Sequence, residues 1–198
     1  MRENGLRAIK ATLYRHRPGI RRNVYKIPCR LEGLEITGIN QLWVGDVTYI
    51  KLRDGSWQYL ATIMDRYSRR IVAWSLSETR DGNLTIACLD QAIKNRGCHK
   101  GLVFHSDRGV EYLVSHYQDR LRRYGIEQSM SRVREMNDNA YMESFYQQIK
   151  TERIKKVTIC TASELRGILC EYMRYYNHAR SHSSLGYVSP SEFECRMN

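Results

Sequence analysis

The chain of 198 residues contains no apolar run that approaches the roughly 18 residues needed to cross a membrane. Its basic N-terminus also lacks the apolar stretch of a secretory signal peptide. Six cysteines are present without a CxxC pair, so zinc-knuckle spacing is missing, and a disulfide framework would be unusual with so large a core. No internal repeat or low-complexity tract occurs. These absences predict one packed domain in the cytoplasm with no membrane contact.

Positive charge is concentrated at the start of the chain. Lys and Arg exceed Asp and Glu by 11 overall; residues 1–30 hold nine basic residues and one acid, or +8, which leaves +3 for the rest. A cationic arm ahead of a nearly neutral domain suits a polyanion, because each neutralised phosphate releases condensed counterions. We therefore expect this arm, including Arg21 and Arg22, to bind DNA. A solvated tail is the alternative reading.

Three strand patterns rich in β-branched and aromatic residues follow the arm. They cover residues 42–52, 57–65 and 70–76, and short turn signals such as RDGS separate them. Short connections between strands of this kind predict three consecutive antiparallel strands.

The rest of the chain alternates between helical and strand patterns. The predicted elements are a helix capped by Asn83 and ended by Gly97, a strand at 102–105, a helix at 117–124, a strand at 126–130, a helix opened by Asp138, and a helix at 163–179 capped by Thr161 or Ser163. Residues 131–137 show no periodicity, which predicts a mobile loop. This order predicts an α/β fold with a mixed five-stranded sheet flanked by helices.

Three acids stand at positions suited to metal chemistry. Asp46 lies in the middle of the first strand, Asp107 directly after the fourth, and Glu143 about one turn into the long helix. Mg²⁺ prefers oxygen ligands and takes one or two carboxylates while it keeps several waters. Two ions about 4 Å apart can activate an attacking water or sugar hydroxyl and neutralise the leaving oxygen of a phosphodiester. The trio therefore predicts a catalytic site that holds two divalent cations such as Mg²⁺.

Each acid also has an ordinary explanation. Asp46 could be a strand-edge residue, Asp107 a turn or N-cap aspartate, and Glu143 a solvent-facing helix acid. However, Glu143, Gln147 and Lys150 fall at i, i+4 and i+7 and so share one helix face. We expect Gln147 and Lys150 to contact a phosphate or base edge beside the metals; a surface Glu-to-Lys pattern is the alternative for Lys150.

Six segments, taken in order, carry a resemblance to a known family. The segments are WVGDVTYI, YLATIMDRYSRRIVAWSLS, HSDRGVEY, IEQSMSR, DNAYMESFYQQIKTE and YNHARSHSSLGYVSP. Together they closely resemble the retroviral-type integrase catalytic core of bacterial insertion-sequence transposases, specifically the second-frame product of two-frame elements. The likeness spans residues 39–195, far more than one short motif. The family's acidic triad corresponds to Asp46, Asp107 and Glu143, with the same interval between the last two.

The resemblance implies a ribonuclease-H-like fold and a DNA transposase that cleaves and transfers strands at the ends of an insertion element. It implies double-stranded DNA as the partner, a dimer or higher assembly on DNA, and a bacterial cytoplasmic location, associated with the nucleoid when bound to DNA. It divides the chain into a basic arm at 1–38, similar to the tail of a helix-turn-helix-like region, and a catalytic core at 39–198. A truncated or domesticated DNA-binding remnant without catalysis is the alternative, and a nuclease without strand transfer is another.

Histidines near the C-terminus offer a further candidate site. His178 and His182 are four residues apart but straddle a predicted helix end, so a structural role is favoured over a zinc site. The resemblance places this stretch in the closing segment of the fold. We expect Arg180 and His182 either to contact DNA or to brace the domain.

Overall fold

A computed structural model describes residues 27–132 and 139–197 and contains one five-stranded sheet. The strands are β1 (Leu42–Lys51), β2 (Trp57–Asp65), β3 (Ile71–Ser77), β4 (Val103–Ser106) and β5 (Glu127–Met130). Their order across the sheet is β3-β2-β1-β4-β5; β1, β2 and β3 pair antiparallel, whereas β4 is parallel to β1 and β5 is parallel to β4. The predicted mixed sheet and its three antiparallel strands are confirmed.

Helices cover both faces of this sheet. They are α1 (Gly82–Arg96), α2 (Val110–Leu113), α3 (Ser115–Arg123), α4 (Ala140–Glu152), α5 (Ala162–His178) and α6 (Pro190–Cys195), with 3₁₀ turns at Ile154–Lys156 and Ser183–Leu185. No helix within the described ranges is long and apolar enough to cross a bilayer. Helices α2 and α6 were not predicted, because four and six residues are too few to establish a helical period.

Two helix starts test the capping predictions. Asn83 as the cap of α1 is wrong: the cap is Asp81, whose carboxylate accepts the backbone N–H groups of Asn83 and Leu84. For α5 the open choice resolves to Thr161, whose hydroxyl accepts from the Glu164 N–H while the Glu164 carboxylate accepts from the Thr161 N–H. This reciprocal pair is a capping box.

Alternation along β1 sorts its side chains into two cores. Leu42 and Val44 join a core that α4 and α5 cover, whereas Trp43 and Val47 join a core beneath α1, α2 and α3. Successive strand residues point to opposite faces, so Asp46 points toward the α4 and α5 layer. Gly45 faces the other side, where a Cβ atom would stand 2.4 Å from Cζ of the buried Phe104. A side chain at Gly45 would therefore clash with this ring and displace it from its place in the core.

A buried ion-pair network fastens the last helix to the domain. The Glu194 carboxylate on α6 accepts hydrogen bonds from Arg70 (2.6 Å), from the Ser68 hydroxyl (2.6 Å) and from Arg96. Arg70 and Ser68 belong to the β2–β3 turn and Arg96 ends α1, so one carboxylate joins three parts of the chain. These hydrogen bonds hold the pKa of Glu194 below its usual value against the opposing effect of burial.

Several predictions fall on residues that the structure does not describe. The arm positions Arg21 and Arg22 lie outside the described residues, as do Asp138 and all but the first two residues of the predicted mobile loop.

Candidate active site

The register of two parallel strands brings Asp46 and Asp107 side by side. Strand β1 pairs with β4 so that Gly45 is opposite Ser106. Each of these two residues is followed directly by an aspartate, Asp46 or Asp107. Asp107 then leaves the sheet in a turn, in which its Oδ1 accepts the Gly109 N–H at 2.9 Å. The strand pairing itself thus juxtaposes two carboxylates that are distant in sequence.

Burial and neighbouring negative charge raise the pKa of both carboxylates. Burial, followed by the Asp107 charge, raises the pKa of Asp46 to about 7 against the bond from the Val47 N–H that lowers it. Burial also raises the pKa of Asp107, with a further contribution from Glu111. Arg80 lowers both values. A cation bound here would favour the charged form of both acids.

Helix α4 brings Glu143 to a groove that Asp46 also lines. The Tyr146 hydroxyl donates to the Asp46 carbonyl at 2.6 Å, and Lys150 Nζ donates to Thr48 Oγ1 at 2.7 Å, so the helix lies along β1. An open groove of about 650 Å³ runs between them and is lined by both Asp46 and Glu143. Glu143 is exposed there, without a hydrogen-bond or ion-pair partner among the described residues.

The paired aspartates suit a hard divalent cation. Asp46 and Asp107 supply carboxylate oxygens at the end of two paired strands, which matches the one or two carboxylates that Mg²⁺ takes from a protein. In the described part of the chain no three His, Cys, Asp or Glu side chains are grouped closely enough to hold an ion together. The structure therefore places Asp46 beside Asp107, and it places Asp46 and Glu143 on the lining of one groove.

Two charged residues of this region were missed in the sequence. Glu111 on α2 is 1% exposed and accepts two hydrogen bonds from Arg80, from Nε at 3.0 Å and Nη2 at 2.8 Å. Its other oxygen, Oε2, is buried and has no hydrogen-bond partner. Glu111 lies inside HSDRGVEY, four residues after Asp107, but only the meeting of α1 and α2 reveals its pairing with Arg80.

The candidate DNA-binding residues fall in different surroundings. Gln147 and Lys150 line the groove with Glu143, as their helical spacing predicts. Arg180 is held by Glu152, with Nη2 and Nε 2.8 Å and 3.2 Å from its carboxylate, which braces α4 against the segment after α5. His182 is buried and packs edge-on against Tyr176, whereas His178 is exposed at the end of α5. Neither histidine belongs to a metal-holding group among the described residues.

The raised pKa of Asp46 predicts that the carboxylate destabilises the fold at neutral pH. Unfolded Asp46 loses its proton near pH 3.8 and folded Asp46 only near pH 7, so the cost is absent below the first value and develops fully above the second. At 1.36 kcal/mol per pKa unit it amounts to at most about 4 kcal/mol. Asp107 and Glu111 add to it, whereas Arg80 reduces it.

We therefore expect Asp46→Asn to raise the melting temperature in EDTA at pH 8, with a gain that shrinks as pH falls toward 4. Scanning calorimetry of both proteins from pH 4 to 8 measures this difference. An advantage of the Asn variant that stays the same at every pH would contradict the expectation.

Comparison with known proteins places the chain among integrase cores. Two family models, each described as an integrase core domain, match residues 37–135 and 124–190. A transposase for insertion sequence element IS904 of Lactococcus lactis subsp. lactis (strain IL1403) is 42% identical over 159 residues, which cover 80% of this chain and 62% of that protein. The chain thus spans about three fifths of the length of this curated relative.

Solved structures share the fold at low sequence identity. The HTLV-2 integrase catalytic core domain, in a dimeric form in complex with magnesium, has a TM-score of 0.64 at 22% identity and covers 79% of this chain and 97% of its own. A chain of the simian T-cell lymphotropic virus intasome in complex with PP2A regulatory subunit B56 gamma has a TM-score of 0.67 at 16% identity, with coverage of 78% and 54%. The fold is accordingly the ribonuclease-H-like fold of integrase catalytic cores.

Proposed function

The chain belongs to the integrase core domain family, and from that premise we propose that it is the catalytic part of a DNA transposase, which cleaves strands at the ends of an insertion element and joins them to target DNA. The observation that carries the proposal is the register of β1 and β4, which sets Asp46 beside Asp107. Burial and neighbouring negative charge raise the pKa of both acids, and a bound cation would stabilise their charged forms.

Asp46, Asp107 and Glu143 are the residues that would hold Mg²⁺ or Mn²⁺, two ions per site. When bound, such ions neutralise charge on the attacked phosphodiester and make a water or 3′-hydroxyl a better nucleophile. The HTLV-2 core with magnesium supports the choice of cation. Asp46 and Asp107 would hold the ions from the end of two paired strands, and the exposed Glu143 side chain would add a ligand from α4.

The surroundings of the groove supply DNA contacts. Lys150 is positioned by Thr48 and by the Tyr49 ring, whose centroid is 5.1 Å from Nζ, so its charge is fixed beside the carboxylates. Gln147 offers an amide on the same wall. The basic arm at 1–38, with Arg21 and Arg22, would seat the flanking duplex, and the core at 39–198 would carry the chemistry.

Assembly on DNA is part of the same proposal. Joining two element ends to one target requires two active sites held together, so we infer a dimer or higher assembly on double-stranded DNA. The intasome similarity supports this arrangement. Such a protein would act in the bacterial cytoplasm, at the nucleoid.

A strand-joining assay tests the proposed function. The purified 198-residue chain is incubated with end-labelled duplex carrying the element terminus and with supercoiled target, in Mn²⁺ or in EDTA. We expect nicked and joined products in Mn²⁺ and neither in EDTA. Nicking without joining would indicate a nuclease, whereas DNA retention without either product would indicate a remnant that has lost catalysis.

A further inference from the structure

A second groove lies on the opposite side of α4 from Asp46. The carboxylate groove uses α4 residues 143, 146, 147 and 150, whereas this one uses 141, 144, 145 and 148, about half a helical turn around. Its volume is about 440 Å³, and we call it the Tyr141 groove. The lining residues that matter here are Arg69, Tyr141, Gln148, His182 and Tyr187.

Two arginines stack on Tyr141, and one of them, Arg69, lines this groove. The guanidinium carbons of Arg66 and Arg69 lie 3.4 Å and 3.7 Å from the ring centroid of Tyr141, whose hydroxyl accepts from Arg66. Within the described ranges, neither arginine forms a salt bridge. Burial and the neighbouring Arg69 charge lower the pKa of Arg66. Two adjacent cations without an acid are stabilised by an anion from outside the domain.

Unpartnered polar atoms line the same groove. Arg69 Nη1, Gln148 Oε1 and His182 Nε2 are buried and form no hydrogen bond, and His182 is only 8% exposed. An unsatisfied buried polar atom destabilises the fold, so three in one groove call for a ligand. Burial, with Arg180 and Arg69 nearby, lowers the pKa of His182 to about 4. Because Glu152 neutralises Arg180, the positive charge comes from Arg66 and Arg69.

Strained backbone holds two of the lining residues in place. Arg69 and Tyr187 have φ angles of 63° and 62°, in the left-handed region that non-glycine residues rarely adopt. Such a conformation is unfavourable and persists where the surroundings impose it, often at ligand sites. Tyr187 is 76% exposed at the rim of the groove, so its ring is available to pack against a flat apolar surface of a ligand.

We propose that the Tyr141 groove binds a phosphodiester of the DNA backbone, which gives the chain a second DNA contact across α4 from its carboxylates. A non-bridging oxygen would accept from Arg69 Nη1. Rotation of the Gln148 amide would offer a second donor, and Tyr187 would flank the adjoining sugar. The inference rests on the part of the proposed function that concerns DNA binding and is independent of catalysis.

Salt-dependent DNA binding tests the groove. Fluorescence anisotropy of a labelled duplex is recorded with the full chain in EDTA over a series of KCl concentrations. We expect Arg69→Asn to weaken binding on the order of tenfold and to reduce the slope of log K against log salt by about 0.9, the value for one phosphate contact. Asn tolerates a positive φ, so the turn is preserved. The basic arm contributes equally to both proteins and cancels in their ratio.

The matched control is Arg123→Asn, which removes the same charge from an exposed position on α3. If the Arg69 and Arg123 variants have the same DNA affinity and the same salt slope, the proposal that the Tyr141 groove binds DNA is overturned. Arg66→Gln gives a second reading at a residue outside the left-handed region, should Arg69→Asn lower the melting temperature. The wild-type chain could produce no nicked or joined DNA while Arg69→Asn still weakens DNA binding more than Arg123→Asn does. In that case the catalytic proposal fails and the proposal of a phosphodiester site in the Tyr141 groove holds.

Discussion

Asp46→Asn, Asp107→Asn and Glu143→Gln are each expected to abolish Mg²⁺-dependent nicking, by on the order of a thousandfold or more, while DNA binding is largely kept. Each substitution keeps the shape of the side chain and removes the negative charge that a cation requires. Under the proposed function the three residues form one site, so a double variant should be little worse than a single one. Rates of nicking on labelled element-end duplex, with anisotropy measured in parallel, test this result.

Exposed acids serve as matched controls for these variants. Asp119→Asn on α3 and Glu171→Gln on α5 change the same charge at positions with 46% and 65% exposed side chains. Both should nick DNA at the wild-type rate. If nicking persists in the variants of Asp46, Asp107 and Glu143, the catalytic assignment of these acids is wrong, although the integrase-core fold is unaffected.

Glu194→Ala is expected to lower the free energy of unfolding by about 3 kcal/mol, because it leaves Arg96 and Arg70 buried or half-buried without their shared acid. For a chain of this size the melting temperature should fall by about 6–12 °C. The buried Ser68 hydroxyl loses its acceptor as well. Urea denaturation followed by circular dichroism measures the change.

Glu192→Ala provides the comparison for this variant. Glu192 pairs with Arg196 on the same helix, but their side chains are 51% and 61% exposed, so its loss should cost no more than about 0.5 kcal/mol. A Glu194 variant as stable as the Glu192 variant would show that α6 is held by its apolar contacts instead.

Local sequence patterns predict much of this fold. The bounds of β2 are those that alternation and the flanking turns predict, and Gly97 ends α1 as expected. The start of α1 was misplaced by two residues because Asp81 and Asn83 are both good caps, and only the extended backbone of Asp81 decides between them. Short helices such as α2 depend on neighbours that are distant in sequence, so no local pattern reports them.

The candidate site also contains features that local patterns predict and features that depend on residues distant in sequence. The face of α4 that carries Glu143, Gln147 and Lys150 follows from helical spacing. The pairing of Arg80 with Glu111 does not, because it depends on how α1 packs against α2. In the sequence, Arg66 and Arg69 stand beside the second turn, where they suit either a patch for the DNA backbone or solvated turn charges. Their stacking on Tyr141 could not be predicted, since that ring lies more than seventy positions further along the chain.

The close approach of Gly45 to Phe104 ties the position of Asp46 to the core on the far side of the sheet. Gly45 directly precedes Asp46, and its missing side chain leaves room for the buried Phe104 ring. A larger residue at this position would displace that ring among the apolar residues beneath α1, α2 and α3, and the backbone next to Asp46 would have to adjust. The placement of Asp46 therefore depends on apolar packing that lies outside its own groove.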